Sequence, residues 1–256
     1  MPFPNQDYSK RDYLLPAGCK TEADEQFIDC KCPHCGFLAS FPEGRIGTLQ
    51  ECPRCFDVLV VPSQGTDVGA KLPIPVKTSR LLLRRLVRSD SSDLLELMAD
   101  EESFRYIAWT PLEEGEVEDW IEKDKAVRLT QNRASLCFGI ELVEYSKLIG
   151  FLSLNYFDEE RQDMAFMTMI NANYRRQGFG SEAVRGALHF AFTGVHIHRV
   201  IASCDSRNIA GCRMLEKAGM RREGECVKDL FQKGEWMNTV WYAILEEEYE
   251  QPPIKY

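Results

Sequence analysis

Beyond Val76 the apolar positions switch repeatedly between a period of two and a period near 3.6. The run Arg80 to Leu86 (RLLLRRL) predicts a strand, and Asp90 to Met98 a helix capped by Ser89 or Asp90. Glu114 to Leu129 carries a second helical pattern. Strand-like runs follow at 136–144, 148–156 and 163–170 with turn residues between them, which predicts a meander. A helix at 181–192, a strand at 198–204 and a helix at 208–218 come next. Two last strands, near 221–231 and 237–245, flank the turn Gln232-Lys233-Gly234.

Before Val76 the pattern is different. Residues 1–29 are polar with few apolar repeats and read as an irregular arm. Residues 30–61 form a cysteine-rich module, and 62–76, rich in Gly and Pro, read as a linker to a main domain at 77–256. The length of 256 residues suits that division into one medium domain and an appendage.

Composition narrows the class. The content is 44% hydrophobic and 28% charged, ordinary for a soluble globular protein. No apolar run approaches the roughly 18 residues that span a bilayer. The start, MPFPNQDYSKRDYLL, lacks the basic-then-apolar order of a secretory signal, so a cytoplasmic location is expected. Net charge is -9, with 7 basic and 10 acidic residues up to Val76 and 24 and 30 after it. That balance disfavours a nucleic-acid partner and suits a cationic substrate.

Six of the ten cysteines lie before position 56, at 19, 30, 32, 35, 52 and 55. Clustering without a signal peptide points to metal rather than disulfides. Cys32-Pro-His-Cys35 and Cys52-Pro-Arg-Cys55 are two Cys-x-x-Cys knuckles separated by 16 residues, each offering two thiolates from one tight turn. With short strands at Phe37–Phe41 and Thr48–Gln50, this resembles a zinc ribbon holding a structural zinc ion at Cys32, Cys35, Cys52 and Cys55. Cys30 stands as an alternative to Cys32, and His34 reads as a bystander. Cys137, Cys204, Cys212 and Cys226 stand singly in apolar surroundings and read as small core residues.

The stretch Arg175-Arg176-Gln177-Gly178-Phe179-Gly180-Ser181-Glu182-Ala183 contains Gly-x-Gly-x-x-Ala ahead of a helix, and Asp205 follows about 20 residues later. That spacing fits a dinucleotide turn, but its context does not. Seven residues, Asn171 to Gln177, separate the apolar strand from the first glycine. A strand meander precedes the motif, and only about 75 residues follow it. A glycine loop at a helix N-terminus, flanked by Arg175 and Arg176, instead suits a pyrophosphate held by backbone N–H groups, the helix dipole and guanidinium contacts.

Arg175-x-x-Gly178-x-Gly180 resembles the coenzyme A pyrophosphate loop of the GNAT superfamily of N-acetyltransferases. Thr78-x-Arg80-Leu81-x-Leu83-Arg84-x-Leu86 resembles the first strand of the branch that holds bacterial ribosomal-protein N-terminal acetyltransferases. Asn208-x-Ala210, Leu215-Glu216-Lys217-Ala218-Gly219-Met220, Glu223-Gly224 and Lys233-Gly234-Glu235-Trp236 resemble later segments of that branch, so the likeness covers about 77–249. It implies an α+β GNAT fold: a mixed, mostly antiparallel central sheet flanked by helices, here preceded by the zinc-ribbon-like module.

The resemblance also implies a site. Thr168, Met169 and Ile170 belong to the strand that splays from its neighbour and pairs with pantetheine; a backbone N–H near Ile170 would stabilise the oxyanion. Arg175, Arg176, Gln177, Gly178, Phe179, Gly180 and Ser181 would cradle pyrophosphate, and Asn208 would bond the pantetheine arm or cap its helix, or both. The chain departs from many relatives in having Leu215 where a tyrosine acid often stands, Gly211 for a serine, and Ala165 for a carboxylate. Asp163, two residues earlier on the same strand face, is the candidate base, and Asp205 a weaker second. Tyr106, Trp109, Pro111 and Trp236 are candidate acceptor-pocket residues. The implied activity is acetyl transfer from acetyl-CoA to a primary amine, with the scarcity of acid–base groups favouring a protein or peptide N-terminal α-amine. The alternatives are a small amine such as a polyamine or aminoglycoside, or a catalytically weak acetyl-CoA-binding sensor.

Overall fold

The computed structural model describes residues 27–43, 49–52, 54, 58–62, 70–71, 74–107, 110–126, 135–158 and 163–249. Cys19, Cys55 and Trp109, and the arm up to residue 26, lie outside the described residues. In the cysteine-rich part β1 (Phe27–Lys31) pairs antiparallel with β2 (Leu38–Pro42). β3 (Leu49–Glu51), β4 (Val58–Val60) and β5 (Ala70–Lys71) make a separate three-stranded sheet. The stretch read as a linker therefore supplies a strand to this module: Ala70 and Lys71 pair with Val60 and Leu59. Its end supplies another, because β6 (Val76–Lys77) pairs with β7 (Leu81–Arg85) of the main domain. Gly and Pro are frequent in the sequence around both short strands, which is the punctuation that resembled a linker.

In the main domain, α1 (Ser91–Met98) and α2 (Glu114–Ala126) precede the meander of β8 (Ser135–Leu142), β9 (Lys147–Asp158) and β10 (Asp163–Ile170). Then come α3 (Phe179–His189), β11 (Arg199–Asp205), α4 (Ile209–Lys217), β12 (Arg221–Gln232) and β13 (Glu235–Leu245). The eight-stranded sheet runs β12-β13-β11-β10-β9-β8-β7-β6. Among the described pairings of this sheet only β10–β11 is parallel. The mixed, mostly antiparallel sheet expected from sequence is what forms.

Alternation along the strands sorts the core into two layers. Met164, Phe166, Val200, Ala202, Val240, Tyr242 and Ile244 turn to the face covered by Phe179, Val184 and Leu188 of α3 and Leu215 of α4. On the other face Phe151 and Met169 meet Leu94 and Leu97 of α1 and Val117 and Ile121 of α2. Arg84 fixes the entry to α1 with a bidentate pair to buried Asp90, 2.8 Å on each arm. The final hairpin turns on Lys233 and Gly234 alone, with φ of 50° and 83°, the left-handed pair that suits a tight two-residue turn. β12 is an edge strand whose register with β13 shifts between Cys226 and Leu230. There Lys228 has φ 51°, its N–H donates to Asn238 Oδ1, and Asp229 Oδ1 accepts from Thr239 N.

One glycine is demanded by packing. A Cβ on Gly150 of β9 would lie 2.2 Å from the carbonyl oxygen of Met169. Backbone cannot swing aside as a side chain can, so Gly150→Ala is expected to cost at least about 2–3 kcal/mol. Denaturant unfolding followed by circular dichroism measures that loss.

Candidate active site

β10 and β11 pair only over Asp163–Ala165 and Arg199–Ile201, although they continue to Ile170 and Asp205. From Phe166 onward the strands part while β10 stays registered on β9 as far as Ile170. Asn171 N donates to Ile149 O at 2.8 Å, and antiparallel bonding alternates by two residues. Met167 and Met169 thus bond toward β9, and the N–H and C=O groups of Thr168 and Ile170 turn toward the opening. The geometry brings the three strand residues Thr168, Met169 and Ile170 to the end of this cleft.

The loop after β10 is folded by its own polar groups. Asn171 Oδ1 accepts from Asn173 N, and Tyr174 N and Arg175 N donate back to Asn171 O and Ala172 O. Arg176 then takes φ 62° and Gly178 φ 85°, reversing the chain into α3. The first helical bond is Glu182 N to Gly178 O, so the N–H groups of Phe179, Gly180 and Ser181 have no acceptor within the helix. Helix α3 starts two residues earlier than the sequence pattern suggested, which puts Phe179 and Gly180 inside its first turn. Arg176 and Gln177 are exposed beside it, and Ser181 Oγ turns inward to Met214 O.

A buried carboxylate holds this turn in place. Glu182, 8% exposed, accepts from Thr78 Oγ1 (2.6 Å), Arg80 N (2.8 Å) and Arg80 Nε (2.8 Å). Arg80 also donates to Gln177 O at 3.1 Å and lies 4.2 Å over the Phe179 ring. Burial alone would raise the Glu182 pKa, but the bonds from Thr78 and Arg80 outweigh it and hold the carboxyl below the usual range.

Arg175 sits in the loop but spends its donors within the protein. Its Nε binds Ile170 O at 2.9 Å, and its Nη2 reaches Ser103 Oγ and lies 3.2 Å from Asp100 Oδ2. The guanidinium therefore ties the end of β10 to the segment between α1 and α2. Asn208 caps α4: its Oδ1 accepts from Gly211 N at 2.9 Å. A Cβ on Gly211 would fall 2.7 Å from Asn208 Nδ2 and 2.8 Å from Cys204 Sγ, which explains glycine in place of serine. Asp163 is not brought to this place. It lies at the paired end of β10, seven residues and about 23 Å of strand from Ile170. Asp205, by contrast, stands at the open end.

Asp205, with a fully buried side chain, accepts from Arg207 Nη2 at 2.7 Å and from Arg207 Nε at 3.1 Å. Burial raises its pKa, but Arg207 prevails and keeps it below the usual aspartate range. Arg207 Nη1 binds Glu235 Oε1 of β13 at 2.8 Å, and its guanidinium lies 6.0 Å from the centre of the Tyr106 ring. Lys233, on the hairpin turn, donates to Phe104 O. The 101–107 segment, β11 and the hairpin thus converge at one mouth. Pro111 is exposed, and Trp236 is exposed with its ring 5.3 Å from Phe231.

In the cysteine-rich part the sulfurs of Cys32, Cys35 and Cys52 lie within 4.8 Å of one another. Backbone N–H groups of His34 and Arg54 point at Cys32 Sγ and Cys52 Sγ, both at 3.4 Å. Cys30 is fully buried and is not one of these three sulfurs.

Residues 80–221 match the acetyltransferase (GNAT) domain, and the chain belongs to that family of N-acetyltransferases. YnaD, an uncharacterized N-acetyltransferase of Bacillus subtilis (strain 168), is 31% identical over 175 residues, covering 68% of this chain and 98% of that one. The crystal structure of an acetyltransferase (GNAT family) from Bacillus anthracis superposes with a TM-score of 0.60 at 28% identity, over 67% of this chain and 98% of the other. A spermidine N-acetyltransferase from Vibrio cholerae, solved in complex with CoA and spermine, shares the fold with a TM-score of 0.58 at 23% identity, over 66% and 98%. Among the described residues no helix is long and apolar enough to cross a membrane.

Sequence reading missed Glu182, Asp100 and the Arg207 cluster, because each partner lies far along the chain or on another element. The Glu182 clamp makes a testable pH dependence. A carboxyl whose folded pKa is depressed stabilises fully above its unfolded value, near 4.3, and loses that contribution as pH falls through the folded value. The stability gap between wild type and Glu182→Gln is therefore expected to be widest at neutral pH and to narrow below about pH 4, as read by denaturant unfolding across pH.

Proposed function

We propose that the chain transfers acetyl from acetyl-CoA directly to a primary amine in a ternary complex, and that the amine is the α-amine of a protein or peptide N-terminus. The observation that carries the reading is the parting of β10 from β11 immediately ahead of a left-handed glycine turn into α3. Acetyl-CoA is the donor that suits these residues: the open-edge groups of Thr168 and Ile170 for the pantetheine arm, and the first-turn N–H groups of Phe179, Gly180 and Ser181 for pyrophosphate. Arg176 and Gln177 lie exposed where phosphate oxygens would pass. Asn208 has its amide nitrogen left to offer. A neutral amine attacks the thioester carbon, and the Ile170 N–H bonds the oxygen that gains charge. The carbon–sulfur bond breaks as the nitrogen sheds a proton through water to the departing sulfur, leaving an amide and a free thiol.

The choice of amine rests on protonation. None of the four histidines (His34, His189, His196 and His198) lies at the open end of the cleft, and Asp205 is held ionised by Arg207. A site so short of bases favours an α-amine, with a pKa near 8, over a lysine amine above about 10, a difference of roughly 3 kcal/mol in deprotonation. The fold shared with a spermidine N-acetyltransferase supports a second reading, a polyamine acceptor. Thiol release from acetyl-CoA, followed with a free-N-terminal peptide, an Nα-blocked lysine peptide and spermidine, separates these. The free N-terminus is expected to react fastest by at least about tenfold; faster reaction with the blocked peptide or spermidine overturns the α-amine reading.

The cysteine cluster suits one tetrahedral zinc ion. Three sulfurs already converge, two of them receive the backbone N–H bonds that stabilise thiolates, and Cys55 is the proposed fourth ligand from outside the described residues. Zinc here would be structural and would supply folding free energy to a module with a core of only a few side chains. Elemental analysis is expected to find one zinc per chain, lost in Cys52→Ser with melting of that module.

A further inference from the structure

The mouth between the 101–107 segment and the final hairpin contains more carboxylates than it exposes as free charge. Asp205 and Glu235 both spend themselves on the single guanidinium of Arg207. Arg105, its guanidinium 5.4 Å from the centre of the same Tyr106 ring, is matched by Glu102 at 3.0 Å. Lys233 donates to the Phe104 carbonyl, a neutral partner, and so adds a positive charge of its own. Within this bonded cluster three cations (Arg105, Arg207, Lys233) balance three anions (Glu102, Asp205, Glu235).

We infer that Arg207 is a specificity-determining residue: by engaging both Asp205 and Glu235, with Lys233 balancing the second charge, it denies the mouth to amines that carry further ammonium groups and leaves it to singly charged, amide-bearing acceptors. A polyamine enters with at least one ammonium besides the reacting amine, and each needs a carboxylate of its own to replace the water it loses. No carboxylate of this cluster is left over. A peptide N-terminus carries one amine and then carbonyls, for which the guanidinium and the Lys233 ammonium are donors rather than repellents. The position of Arg207 makes this control direct. It follows β11 at the open end of the cleft, half exposed, and bridges to β13 and Tyr106.

The inference rests on the mouth being the acceptor site of the proposed transfer, and its test uses a series in mouth charge. Glu235→Gln sets it to +1, wild type to 0, Arg207→Gln to -1, and the double variant Asp205→Asn/Arg207→Gln back to 0. The measured quantity is kcat/KM for spermidine divided by kcat/KM for a free-N-terminal peptide, by thiol release in the full chain. That ratio is expected to rise on the order of tenfold in Arg207→Gln, to return near the wild-type value in the double variant, and to fall in Glu235→Gln. Added salt shrinks each difference. A purely structural role for Arg207 predicts that the double variant stays as impaired as the single one, and that result overturns the inference. So does a ratio unchanged across the series. Should Arg207→Gln strand the buried Asp205 charge and fail to fold, the double variant and Glu235→Gln, an exposed position, still decide it. A wild type that already prefers spermidine overturns the α-amine reading instead, whatever the series shows.

Discussion

A strand inside a sheet that loses one neighbour must do something with a row of backbone donors and acceptors. β10 is in that position: β9 satisfies it on one side to Ile170, while β11 leaves it after Ala165. Unpaired backbone groups away from water cost about as much as lost hydrogen bonds. The cleft survives because other contacts fix its walls. Arg175 takes up the Ile170 carbonyl, Asn171 returns the chain to Ile149, and Glu182 anchors the next helix to the first strand through Thr78 and Arg80. The site's polarity is therefore a consequence of a topological gap, and the loop, clamp and tether all serve to keep that gap open in one shape.

The strand and helix positions of the main domain were legible because they are written in short-range periodicity: RLLLRRL reads as a strand whatever its neighbours. The glycine turn into α3 was legible too, since Gly178 has to stand where φ is 85°. Charge pairing was not. Nothing local in the sequence tells that Arg80 clamps a carboxylate 102 residues away or that Arg175 reaches back to Ser103, 72 residues away. Periodicity carries no information about such partners. Asp163 illustrates the converse: alternation put it correctly on a strand face, but position along the strand, not face, separates it from the cleft end.

In the cysteine-rich part, two cysteines that spacing makes equivalent fall in different local structures. Cys30 and Cys32 are two apart, and either completes a knuckle with Cys35 on paper. Cys30 falls within β1, paired opposite Ala39 of β2, and shares the small buried cluster with Cys32 and Cys52. Cys32 lies just past the strand, where its backbone carbonyl accepts from Gly36 N in the turn that brings Cys35 to its sulfur. The ladder ends one residue before the knuckle starts.

The irregularity in β12 has a consequence for the molecule's dealings with its own copies. An outermost strand of twelve residues would ordinarily present a template for another chain. The register shift after Cys226, the left-handed Lys228 and the diversion of Asn238 and Asp229 to backbone donors break that row in its middle. Arg221, Arg222, Glu223 and Glu225 charge the remainder. The margin of the sheet is thus blunted against fibrous self-assembly.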